Sequence, residues 1–321
     1  MTTPMHNPVA RFARGLSLIE LMVALVIGAL LIAGAVTVFL QSRNTYRAND
    51  TVSRMQEVAR YALDVIAPDV RQAGFLGLTN RPMSTSSTAA AVTNDCVANF
   101  AVNLNVPLEG RDAALTGGAG YPTAWACPRQ AGINTVNWAD VLVVRRASAD
   151  QAALQNTRVQ IQANRESVVL FSNGVRPAGY NAAPQSETHN YLFDAYYIGE
   201  GPVVNGIRQF SLRRQTLIAG PAMSDVEIVP GVQDMQVQFG LDVNGDGTVE
   251  RYVNPQDAIP AGARIATVQL WLLVVSDERE IGFSDARPYR YANANQTNAV
   301  FHDNRRRVLV SRTIQIRNAV T

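Results

Sequence analysis

From Leu21 to Leu40 the chain runs twenty residues without a charge, and the apolar pattern then changes period instead of stopping. At about 1.5 Å per residue that stretch is about 30 Å long, the thickness of a bilayer core. Beyond it Val52, Met55, Ala59, Ala62, Ile66 and Val70 recur at spacings of three and four, one face of an α-helix. No Pro falls between Leu16 and Ala67, and Gly28 and Gly34 are the only glycines there. The pattern predicts one helix of about 50 residues, apolar all round in its first half and amphipathic in its second. Pro68 is expected to kink or end it and Gly74 to close it.

After Gly74 the periodicity is lost. Residues 75–135 are loop-like, rich in Ser, Thr, Asn, Gly and Ala. Strand-like runs follow at 139–146, 167–171, 190–199, 206–214, 234–242, 264–277 and 307–318, rich in Val, Ile, Tyr and Phe and separated by Gly, Pro and Asn turns. "QVQFGL" and "TVQLWLLVV" alternate in part, as strands with one buried face do. A long helix followed by many antiparallel strands reads as α+β, with the sheet or sheets packed on the amphipathic half of the helix.

One carboxylate, Glu20, stands near the start of the apolar run. An acid there costs about 2.5–3.5 kcal/mol on insertion scales and needs a partner. A cleavable secretory signal is the competing reading of the run, but its apolar region would be shorter and would end at a small-residue site. Arg11 and Arg14 precede the span, while Arg43, Arg47, Asp50 and Arg54 follow it, so flanking charge alone does not orient it. A short flank facing a long polar domain favours a cytoplasmic N-terminus.

"RGLSLIELMVAL", residues 14–25, resembles the class III signal of type IV pilins and pseudopilins, a basic leader ending in Gly followed by an apolar segment with Glu at its fifth position. The resemblance implies cleavage between Gly15 and Leu16, N-methylation of Leu16, and an assembly role for Glu20. Leu16 departs from the Phe usual at that place. The new α-amino group of a neighbouring subunit would be the partner of Glu20; a cation about 4 Å away at an effective dielectric near 20 returns about 4 kcal/mol. Snorkelling of Glu20 to the headgroups is the alternative. The expected parts are a leader over 1–15, a pilin helix over 16–74 and a β-rich exported domain over 75–321.

"VRQAGFLG" (70–77), "VPGVQDMQVQFGLD" (229–242), "RIATVQLWLLVVSDE" (264–278) and "RRRVLVSRTIQIRN" (305–318) are similar to the PilW family of minor pilins, relatives of the J-type minor pseudopilins of type II secretion. That resemblance implies a low-abundance subunit that primes assembly at the pilus tip. Its implied partners are other minor pilins, the major pilin, a tip protein, the prepilin peptidase and the inner-membrane assembly platform. The implied location is the inner membrane, then the pilus surface. An adhesive subunit contacting its target through residues 78–135, and a secretion pseudopilin, are the alternatives.

Composition adds little to the partners and something to the chemistry. A formal net charge of +2 gives no general reason to expect nucleic-acid binding, and "NRRRV" (304–308) reads as a solvated strand edge guarded against sheet-to-sheet pairing. Cys96 and Cys127 are the two cysteines; in an exported domain a disulfide is the default, with free thiols or half a metal site as rivals. In "LDVNGDGTVERY" (241–252), Asp242, Asn244, Asp246, Thr248 and Glu250 place oxygens at alternating positions around Gly247, as calcium loops do. Val253 stands where an EF-hand has its bidentate Glu, and a plain Asx/Gly hairpin loop is the rival reading. No cofactor is required. No nucleophile elbow, phosphate loop or HExxH motif points to an enzyme.

Overall fold

The computed structural model describes residues 17–79, 82–96, 99–112, 130–136, 138–292, 301 and 303–320. Helix α1 spans Leu18–Arg71 without a break. The chain divides into two compact units, Met1–Thr51 and Val52–Thr321. In the first, the helix exposes its apolar side chains, among them Leu18, Leu31 and Phe39 at 78%, 69% and 66%. A continuous apolar surface of that kind belongs in lipid or against partner helices.

In the second unit the helix buries Met55, Ala59, Ala62, Ile66 and Val70, the face read from the spacing. Pro68 neither ends nor breaks the helix. Lacking an N–H, it forfeits the single bond to the Asp64 carbonyl four residues back, while its own carbonyl still accepts the Gln72 N–H at 3.2 Å. The stop comes at Gly74, in the left-handed region at φ 72°, whose N–H crosses to the carbonyl of Arg145.

Thirteen strands stand among the described residues: β1 (Ser84–Ser87), β2 (Leu108–Arg111), β3 (Asn134–Thr135), β4 (Val141–Gln151), β5 (Gln160–Ala163), β6 (Ser167–Phe171), β7 (Glu187–Val204), β8 (Ile207–Ile218), β9 (Ala222–Pro230), β10 (Val232–Asp242), β11 (Arg251–Val253), β12 (Arg264–Val275) and β13 (Arg307–Val320). Seven correspond to the runs read from the sequence. The loop-like stretch contains β1, β2 and β3, which are too short to show a period. β5 and β9 also escaped the pattern, since β9 carries Ser, Asp, Glu and Pro on a half-exposed strand.

The strands form two sheets. The larger has the path β1-β6-β5-β7-β4-β2, with β3 and β8 also on β7 and β9 on β8; every pairing except β1 with β6 is antiparallel. The smaller has the order β11-β10-β12-β13 and is wholly antiparallel. The main core joins the buried helix face to both, with Leu142, Tyr196 and Leu212 from one and Val237, Leu270 and Ile314 from the other. A second cluster includes Leu76, Ala101, Val143 and Phe193 on the larger sheet's other face, and a third gathers Tyr289, Tyr291 and Leu273 on the far face of the smaller sheet. Each sheet is thus covered, at least in part, on both faces, which explains strands more continuously apolar than strict alternation.

Candidate functional sites

Ser17 caps the helix: its Oγ accepts the Glu20 N–H at 3.2 Å and its carbonyl accepts the Leu21 N–H. Ser17 and Glu20 stand at the spacing of a capping box, S-x-x-E, a signal present in the sequence and missed there. Glu20 therefore lies in the first turn, where the unpaired N–H groups and the helix dipole favour a negative charge. That supplies a local stabilisation beyond any partner amine. Gly15 and Leu16 lie outside the described residues.

The other end of the helix is held by charge. Asp69 in the last turn is 7% exposed; it accepts Arg146 Nη2 at 2.6 Å on one oxygen and the Tyr196 hydroxyl on the other. Arg146 also donates to Gln72 Oε1 at 3.1 Å, so β4 and β7 both hold the last helical turn at Asp69 and β4 reaches on to the residue just past its end. Asp194 lies near the same cluster. Burial first, and the Asp69 charge second, push its carboxyl up to about 6.

The acidic loop is a hairpin between β10 and β11. Asp242 is buried at 3% and its two oxygens accept the N–H groups of Gly245 and Gly247 at 2.6 and 3.0 Å. Asn244 Oδ1 accepts the Asp246 N–H, Asp246 Oδ1 accepts the Thr248 N–H and hydroxyl, and Glu250 Oε2 accepts the Val243 N–H at 2.6 Å. The hydrogen bonds from Thr248 hold Asp246 below the ordinary carboxylate value. One oxygen from each of Asp242, Asp246 and Glu250 lies within 4.8 Å of the others. The hairpin and the convergent oxygens coexist. Each carboxylate oxygen offers two lone pairs, and the hard, all-oxygen donor set fits calcium.

Cys96 is buried, and no free cysteine stands among the described residues; Cys127 lies outside them. The reading of 304–308 as a solvated edge is corrected. Arg305 and Arg307 are buried at 6% and 2%. Arg307 donates to Asp303 at 2.7 Å and Gln233 at 2.8 Å, pairs with Asp285 at 3.3 Å and lies 3.7 Å from the Phe301 ring centre. Arg305 donates to the Ser276 carbonyl, and Arg306 pairs with Glu280 and stacks on Phe283. Arginines in such a run become interior when each guanidinium fork meets enough acceptors, and those acceptors come from β10 at Gln233 and from the long β12–β13 connection.

With this arrangement in view, two family models match parts of the chain. The profile of the type IV pilus-assembly protein W family matches residues 195–318, from within β7 through most of β13, and the prokaryotic N-terminal methylation motif matches residues 11–36. The chain carries a PilW-like segment behind a prepilin-type N-terminus. The motif covers Gly15, Leu16 and Glu20, and the helix that carries it is long and apolar enough to cross a membrane, as a membrane-anchored pilin requires. Among solved structures, a type IV-like pilin from Thermus thermophilus is similar at 12% identity and a TM-score of 0.35, over 84% of this chain and all of that one. No curated protein matches this chain.

Proposed function

We propose that this minor pilin acts in initiation and assembly of the type IV pilus, within a tip priming complex of minor pilins that contacts the major pilin and a tip protein. The observation that carries the reading is Glu20, the one carboxylate in an exposed apolar stem, set in the first turn of a capped helix inside the methylation motif. In this reading the prepilin peptidase cuts between Gly15 and Leu16 and Leu16 is methylated while the N-terminus faces the cytoplasm. The cationic amine so made pairs with Glu20 of a neighbouring subunit on the assembly platform. The mature pilin then leaves the inner membrane for the fibre.

Mass spectrometry of sheared surface fibres tests this. The expected N-terminus is methylated Leu16, at a small fraction of the major pilin's abundance, and Glu20→Ala is expected to be processed but absent from fibres. Incorporation of Glu20→Ala at the normal level refutes the assembly role. Normal pili that lose adhesion when residues 78–135 are altered would favour the adhesive reading, and a secretion defect with normal pili the pseudopilin reading. We also propose that the loop of Asp242, Asn244, Asp246, Thr248 and Glu250 takes a calcium ion, which would tie the β10–β11 hairpin once the domain is exported.

A further inference from the structure

The far face of the smaller sheet has a chemistry that the proposed role, argued from Glu20, does not draw on. Gln238, Gln269 and Thr313 form one cross-strand row, and Gln236, Trp271 and Ser311 form the next. Their strand neighbours Val237, Leu270 and Ile314 point the other way, into the main core. Neither row contains a charge. Ser311 and Thr313 are exposed and Gln238 and Gln269 half-buried; the Gln238 amide nitrogen donates to Asn254 Oδ1 at 2.8 Å, and Gln236, 3% exposed, donates to the Trp138 carbonyl.

Aromatic rings stand at both ends of this strip. At one end Trp271 is half-buried, packed against the cluster of Tyr289, Tyr291 and Leu273. At the other end Gly240 opposes both Thr267 and Tyr252. A Cβ at Gly240 would lie 2.1 Å from Thr267 Oγ1 and 3.1 Å from the Tyr252 ring, so the missing side chain lets Tyr252 lie on this face. That ring is 43% exposed. Trp271 and Thr267 are four residues apart on β12, so the two aromatic ends are separated by about 13 Å along the strand direction.

Past Trp271 the face runs into a cavity of about 340 Å³ lined by Trp138, Gln233, Asp234, Tyr289, Tyr291 and Phe301. Asp234 is 2% exposed and accepts the Tyr291 hydroxyl at 2.5 Å and the Gln236 amide at 3.2 Å. The volume suits one small ring of a ligand, not a whole chain.

From this arrangement we infer that the outer face of β10, β12 and β13 is a binding site for a neutral glycan, with Trp271 and Tyr252 stacking on sugar rings and Gln269, Ser311 and Thr313 fixing their hydroxyls. A nucleic acid or acidic polysaccharide needs cations where these rows have none. An amphipathic helix needs an apolar stripe, and the strip between the rings is amide and hydroxyl. An uncharged polyol with apolar C–H faces matches both the rings and the amides. The inference goes beyond the role in assembly and does not depend on it.

The test uses the full-length pilin in lauryldimethylamine oxide, a detergent without sugar, titrated with cellohexaose, chitohexaose and laminarihexaose and followed by calorimetry and tryptophan fluorescence. Binding of at least one is expected. Trp271→Ala should weaken it about tenfold, and Tyr252→Ala and Thr313→Arg several-fold. Because Trp271 touches a core cluster, the exposed Tyr252 and Thr313 variants carry the test if Trp271→Ala misfolds. No binding of any of the three up to about 10 mM overturns the site. So does equal affinity in folded Tyr252→Ala and Thr313→Arg, or a change in the pilin's oligomeric mass with no sugar bound.

Discussion

Replacing Asp69 by Asn removes one charge from the last helical turn while keeping the shape and one acceptor oxygen. The wild-type carboxylate meets Arg146 at 2.6 Å and takes the Tyr196 hydroxyl, in a place where Asp69 is 7% exposed. Losing one partner of such a buried pair typically costs about 3–5 kcal/mol, because the other charge stays buried. Two features reduce the cost. Arg146 keeps its bond to Gln72, and Asp194 is relieved of the second-largest influence holding it near 6. The expected loss is then about 3 kcal/mol at pH 7, or about 6–12 °C in melting temperature for a domain of this size. Near-UV circular dichroism of the pilin in detergent reads it. A double-mutant cycle with Arg146→Met should return a coupling of about 2 kcal/mol. A loss under about 0.5 kcal/mol, or strict additivity, would show that the helix end is held by its apolar face alone.

Calcium at ten times its dissociation constant should stabilise the pilin by about 1.4 kcal/mol, and Asp246→Ala should remove the effect; a melting temperature indifferent to calcium and chelator ends the calcium proposal. Non-reduced protein should show no alkylatable thiol, and reduction or Cys96→Ser should destabilise by about 3–4 kcal/mol, as expected for a loop of about 30 residues closed onto Cys127. Two reactive thiols would rule the bridge out. Burial pushes the Asp234 carboxyl from 3.8 up to about 6, so the fold takes up a proton before the unfolded chain does. The penalty for ionising it is therefore absent below pH 4 and complete above pH 6, up to about 3 kcal/mol. Asp234→Asn should gain on the wild type in urea unfolding as pH rises from 4 to 7, and a difference that does not change with pH refutes the assignment.

Local pattern carried a large part of this molecule. The helical face from Val52 to Val70 and seven strands are written in spacings of two, three or four residues, which the backbone itself imposes, and the leader motif and uncharged stem are contiguous runs. The acidic hairpin was equally legible, since its oxygens lie within nine positions of one another. What the sequence could not show is whatever depends on distant residues meeting. Asp69 finds Arg146 and Tyr196 across 77 and 127 positions, and Arg307 finds Gln233 across 74. A carboxylate on a helix or three arginines in a row look solvated until the fold brings their acceptors. The division into two sheets, the buried arginines and the uncharged face ringed by Trp271 and Tyr252 were decided by tertiary structure, because register between strands, not order along the chain, sets which side chains share a surface.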